Sequence, residues 1–228
     1  MYRKQQGFTL VEIAIVLVII GLLLGGVLKG QELINSAKVK NFAQDFRNVP
    51  LFIYGYQDKY KALPGDDAGV TGLAAGRFGT SGNTCTPDAA SHCAKGNGVI
   101  DGVWTANSVT DESFVFWQHI RLAGFAAGPT STADATYIPR NADGGLMGIE
   151  SGSAATGGAY ISGLTPTYLV CSTGILGKYA KQLDTTLDDG NTATGSMRVV
   201  ALTHARGSAA LATSAVDDST SFIVCMGL

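Results

Sequence analysis

Between Phe8 and Leu28 the chain reads FTLVEIAIVLVIIGLLLGGVL, 21 residues with a single charge, Glu12. As an α-helix such a run spans about 30 Å, the thickness of a bilayer's hydrocarbon core. Arg3 and Lys4 precede it. Basic flanks are retained on the cytoplasmic side, so the remainder of the chain is directed across the membrane. A cleaved secretory signal carries an apolar region of about 7–15 residues before a small-residue cleavage site. This run is longer and no Ala-x-Ala follows it, so the reading is a retained helix.

Glu12 constrains the reading further. A carboxylate in a membrane segment costs on the order of 2.5–3.5 kcal/mol on insertion scales and is generally paired. A free α-amino group is its natural partner, and cleavage between Gly7 and Phe8 creates one four residues away. Gly7-Phe8-Thr9-Leu10-Val11-Glu12, after a short basic leader and before a long apolar helix, resembles the class III signal of type IV prepilins and type II secretion pseudopilins. The resemblance implies that a membrane prepilin peptidase cuts after Gly7 and methylates Phe8. It implies that the helix is retained and that Glu12 meets a neighbouring subunit's N-terminus during filament assembly. The motif covers about the first thirty residues. Where many pilins carry a proline beyond the middle of the apolar helix, this chain has Gly21, Gly25, Gly26 and Gly30. Glycines weaken a helix by about 0.5–1 kcal/mol each and also permit close helix packing, and both readings stay open.

Past Lys29 the helical period continues through Leu33, Ile34, Ala37, Phe42, Phe46 and Val49, with charges between them. Pro50 is expected to kink rather than end this helix, because Leu51-Phe52-Ile53-Tyr54 resumes the stripe. The helix is expected to stop near Ala62, before the turn Leu63-Pro64-Gly65-Asp66. The chain therefore divides into a leader (1–7), an apolar helical half (8–28), an amphipathic half (29–62) and a globular head (63–228).

In the head, residues 64–110 show little periodicity and read as a long loop. A second helix is expected from Asp111 to Ala126, capped by Thr110 and stopped at Gly124 or Gly128. A third follows Ile175, Leu176, Tyr179, Ala180, Leu183 and Leu187, ending at Asp188-Asp189-Gly190-Asn191. Expected strands are 158–163, 167–171, 196–203 and 221–226. A helical spine packed on an antiparallel sheet gives an α+β fold. Four cysteines allow three pairings. Cys85 with Cys93 and Cys171 with Cys225 is favoured, the first because it is local, the second because it ties the last strand to an earlier one.

Hydrophobic residues make up 46% and charged residues 15%, which excludes intrinsic disorder. The formal net charge of −2 supplies no basic surplus for a phosphate backbone, so nucleic acid is not an expected partner. His92, His119 and His204 are scattered, and neither a GxSxG elbow nor a GxxxxGK[ST] loop occurs, so the chain does not read as an enzyme. Calcium is the one cofactor to weigh. Asn97-Gly98-Val99-Ile100-Asp101-Gly102 partly resembles the later half of a helix–loop–helix calcium loop, and Asp66, Asp67 or Glu112 could complete a site. The favoured alternative is that these side chains cap their own backbone in Asx-type turns.

Together with the resemblance, these features imply a structural subunit of a type IV pilus or pseudopilus. Its partners would be further copies or other pilins in a filament, the prepilin peptidase and the inner-membrane assembly machinery. The precursor would cross the inner membrane once with its head outside the cytoplasm, before passing into a filament at the cell surface or in the periplasm. Alternatives are a minor tip pilin or adhesin, and a membrane-anchored protein that never polymerises.

Overall fold

The computed structural model describes residues 10–87, 92–152 and 157–228. It falls into two compact units, residues 1–40 and 41–228. Helix α1 runs from Leu10 to Tyr60 and continues through Pro50. In the first unit its apolar side chains are solvent-exposed, from Leu10 at 90% to Leu28 at 67%. In the second unit the helix is amphipathic. Phe42, Phe46, Val49, Ile53 and Tyr56 are spaced four, three, four and three residues apart, and all are buried.

The head is α+β, with the helix packed on a four-stranded antiparallel sheet of order β1-β2-β4-β3: β1 Met147–Ser151, β2 Tyr168–Leu176, β3 Met197–Ala201 and β4 Ser221–Gly227. Two short helices complete it, α2 (Glu112–Leu122) and α3 (Gly177–Leu187). The two central strands are covered on both faces, which is why Phe222-Ile223-Val224-Cys225 reads as an unbroken apolar run. On one face Leu169, Cys171, Val200, Ile223 and Cys225 pack with Trp104, Tyr160, Ile161 and Leu164. The alternate residues, among them Val170, Val199 and Val224, are buried on the opposite face.

Cys171 and Cys225 are directly opposite one another in β2 and β4, with Cα atoms 4.0 Å apart, and form a disulfide. Cys85 and Cys93 form the second, and no cysteine is free. Past Cys171, β2 carries a register irregularity between Ser172 and Ile175. Gly174 lies inside it at φ 73°, a left-handed conformation that a side chain would strain.

Several elements differ from the sequence expectation. Segment 158–163 is not a strand; it contributes a single bridge, Ile161 to Ser208. Its apolar residues serve as a cover for the sheet, which gives the same sequence pattern as pairing within it. Strand β1 was not expected, because Gly148 and Glu150 interrupt a five-residue segment that is nevertheless buried throughout. The N-cap of α2 is Asp111 rather than Thr110, whose hydroxyl donates to the Asp111 carboxylate instead. The helix ends at Leu122, just before Gly124 at φ 83°, so Ala126 lies beyond it. Ile175 and Leu176 belong to β2 and not to α3, whereas α1 ends at Tyr60, close to the expected stop near Ala62.

Replacing Cys171 and Cys225 together with serine reopens a connection with a sequence separation of 54. The expected loss is about 4 kcal/mol on the chain-entropy view. Thermal unfolding of the full chain in detergent should show a midpoint lower by roughly 10 °C. A change within error would mean that the ladder hydrogen bonds alone hold β2 to β4.

Candidate functional site

Two regions carry the residues singled out in the sequence. The first is the N-terminal segment. Gly7 and Phe8 lie outside the described residues. Glu12 lies in α1 near the first described residue, Leu10, and is exposed. Downstream, Gly21, Gly25, Gly26 and Gly30 have open space where a Cβ would stand. A window of α1 long and apolar enough to cross a membrane has none of its residues buried.

The second region is the turn that follows α1. Leu63 through Asp67 are all buried, an unusual location for a Pro-Gly-Asp-Asp turn. Its backbone is held by His119 of α2. The Gly65 N–H donates to Nδ1 at 2.9 Å, so the ring proton is on Nε2, which donates to the Asn83 carbonyl at 2.8 Å. Complete burial lowers the His119 pKa to about 4, keeping the ring neutral. It bridges the turn at Gly65 and the loop at Asn83.

Asp66 and Asp67 diverge from this turn. Asp67 accepts the Tyr56 hydroxyl at 2.7 Å and the Gly69 N–H at 2.7 Å, and pairs with Arg77 Nε at 2.6 Å. Asp66 points to the 94–101 loop, where its carboxylate accepts the backbone N–H groups of Gly96, Asn97 and Gly98. Asp101 accepts from Ala94 N–H and from the Asn97 side-chain amide. The Asn97 side-chain Oδ1 accepts the Val99 N–H. The fold thus brings Asp66, Asn97 and Asp101 together and leaves Asp67 in a separate network. All four are hydrogen-bonded to protein donors, the geometry of side chains that organise loop backbone.

Glu112 completes this knot from the first turn of α2. It is fully buried and accepts the Asp101 N–H at 3.0 Å, with Cys85 Sγ 3.5 Å from its other oxygen. Burial first, and then the charges of Asp66 and Asp101, push its pKa up to about 8. Burial likewise raises Asp66, against the three backbone amides that oppose the shift.

A partly buried ion pair that the sequence reading missed joins β1 to the segment after β3. Glu150 of β1 binds Arg206 through two parallel contacts, 2.8 and 2.7 Å, and also accepts the Trp104 N–H. Pairing of both carboxylate oxygens is what allows an acid inside a five-residue strand. The two residues are 56 apart in sequence and belong to no local motif, so no spacing signals them.

Residues 2–28 match the prokaryotic N-terminal methylation motif. This is the class III signal peptide of type IV pilins. No curated protein and no solved structure matches the chain. The motif covers the leader and the apolar half of α1, and it is a structural pilin motif rather than an enzymatic one. With the long apolar helix, the signal is consistent with a membrane-anchored, pilin-like precursor.

Glu112 gives the knot a measurable signature. A carboxyl raised from 4.5 to about 8 contributes stability that is complete below pH 4.5 and lost as pH rises through about 8. His119 acts in the other direction, its neutral form contributing above pH 6.5 and losing that contribution as pH falls through about 4. Between pH 6.5 and 8, only Glu112 of the two titrates. The melting temperature should fall across that interval in the native chain, and Glu112→Gln, which keeps the acceptor for Asp101, should flatten the fall.

Proposed function

We propose that this chain is a structural subunit of a type IV pilus or pseudopilus, cleaved after Gly7 and N-methylated at Phe8. The observation that carries the reading is the conjunction of the methylation motif over residues 2–28 with a 51-residue helix that exposes a nearly unbroken apolar run from Leu10 to Leu28, interrupted by Glu12. A side-chain surface of that kind needs lipid or identical neighbours. Exchanging one for the other releases a subunit from the bilayer without wetting the helix, at about 25 cal/mol for each Å² kept from water.

Glu12 sets the register of that exchange. The α-amino group created at Phe8 is the counter-charge available on an adjacent subunit, and a desolvated carboxylate left unpaired is costly. The prepilin peptidase and the inner-membrane assembly machinery follow as partners. Location follows as well: one crossing of the inner membrane, then a filament. The head distinguishes among members of such a filament, and immunogold labelling along the shaft, at the tip only, or nowhere separates a major subunit, a tip subunit or adhesin, and a non-polymerising anchor.

Intact-mass measurement on the mature chain should give a product beginning at a methylated Phe8, with both disulfides formed. Gly7→Ala should leave the precursor uncut. Glu12→Val should insert and be processed at the native rate yet give sheared-filament yields reduced at least tenfold. A mature N-terminus downstream of Leu28, or native filament yield from Glu12→Val, contradicts the proposal.

A further inference from the structure

Helix α3 ends with a concentration of negative charge that no salt bridge among the described residues offsets. Its last turn contains no basic residue. Asp184, Asp188 and Asp189 gather there instead, with one carboxylate oxygen of each within 4.8 Å of the others. The C-terminal end of a helix carries partial negative charge from its unpaired carbonyls, so three acids at that end are unfavourable both with the helix and with one another.

The burial of Asp184 makes the arrangement more than a surface cluster. The residue is 0% exposed, and neither of its carboxylate oxygens has a hydrogen-bond partner. A buried carboxylate without a donor is among the costliest groups a fold can hold. Its two neighbours, by contrast, are oriented by the loop that follows. Asp188 accepts the Met197 N–H at 2.7 Å, while Asp189 accepts the Asn191 N–H at 2.8 Å and the Thr194 hydroxyl at 2.7 Å. Among the described residues, no salt bridge reaches the three. Arg198 influences Asp189 through its charge, yet its guanidinium donates to the carbonyls of Ser162, Gly163 and Gly195. Burial, followed by the charges of Asp189 and Asp188, pushes Asp184 up to about 6.

We propose that Asp184, Asp188 and Asp189 bind one calcium ion at the C-terminal end of α3. The donors are all hard carboxylate oxygens, which suit calcium and not zinc, whose sites draw on nitrogen and sulfur. Calcium accepts about 6–8 oxygens in irregular geometry, so water and loop carbonyls can complete the shell; magnesium requires a near-ideal octahedron. The spacing is part of the design. Positions 184 and 188 are one helical turn apart and share a face, and the residue after them opens the loop. The ion supplies the partner that the buried Asp184 oxygens lack and offsets the negative helix end. Because Asp188 also holds Met197, the first residue of β3, the ion ties α3 to the edge of the sheet. The other cluster of ligand-type side chains, Cys85, Cys93 and Glu112, has both sulfurs in a disulfide and offers no thiolate.

The test uses the full chain in detergent micelles, stripped with EDTA and followed by calorimetric titration and thermal unfolding with calcium chloride or magnesium chloride. One calcium per chain should bind, with half-saturation at or below about 1 mM, the range of extracellular calcium modules. Ten times that concentration should raise the melting temperature by about 4 °C. Magnesium at the same concentration should raise it by less than a third as much. Asp184→Asn and Asp189→Asn should each weaken calcium binding at least tenfold. In EDTA, Asp184→Asn should melt no lower than the native chain, since it removes a buried like charge, and this shows that the variant is folded. Absence of calcium heat and of any melting shift overturns the proposal, as does a calcium shift that survives Asp184→Asn. A shift that survives both variants but is lost in Asp101→Asn places the ion in the 94–101 loop and equally overturns it.

Discussion

The structure depends on a single surface-energy constraint: the apolar half of α1 must never face water. Between Leu10 and Leu28 every residue except Glu12 is apolar or glycine, and all of them are exposed. A bilayer satisfies the constraint and so does a sheath of identical helices. The amphipathic part of α1 is buried in the head through Phe42, Phe46, Val49, Ile53 and Tyr56. One helix therefore changes character along its length, exposed and apolar first, then amphipathic and buried on one face. The change is written in composition: nearly continuous apolar residues give way to a stripe with a period of three to four.

The head meets a different requirement, that of pairing most of the polar groups it buries, Asp184 being the exception described above. Its loops are long because they carry acids inward. Asp66, Asp67, Asp101, Glu112 and Glu150 are all buried, and each meets backbone amides, a tyrosine hydroxyl or an arginine. Such networks are strong when every member is satisfied and costly when one is not. They fix the course of segments that have little regular structure between Tyr60 and Glu112. Glu112 and His119, about two turns apart on the same face of α2, are each held in their neutral form by burial, one by keeping its proton and the other by refusing it.

How much of this was legible in the sequence follows from the range of the interactions. The α1 spine, its passage through Pro50, the position of α3 and the central strands β2 and β4 rest on periodicity or on apolar runs, which are local signals. The methylation motif is six contiguous residues and was equally plain. What the sequence hid is non-local. The covering role of 158–163 and the strand role of 147–151 are set by contacts with distant segments, and a five-residue stretch with a glycine and a glutamate does not announce pairing. The Glu150–Arg206 pair spans 56 residues, and the burial of Asp184 depends on the loop folding back to β3. Asp188-Asp189-Gly190 read as a helix stop because that is what the triplet does locally; only the packing shows that an acid one turn earlier faces inward.

The order of the four cysteines along the chain has a bearing on how the head matures. A polypeptide that meets an oxidant N-terminus first presents Cys85 and Cys93, eight residues apart, well before Cys171 appears. Contact across so short a span forms in well under a microsecond, far faster than the chain is made. Once that bond closes, two of the three combinatorial pairings vanish, and the remaining thiols have one another as the sole correct choice. The topology then asks for a single slow encounter, β4 sliding between β2 and β3, and the covalent lock follows the strand insertion instead of competing with it. A head built in this sequence has little need of disulfide reshuffling, because timing along the chain does the sorting.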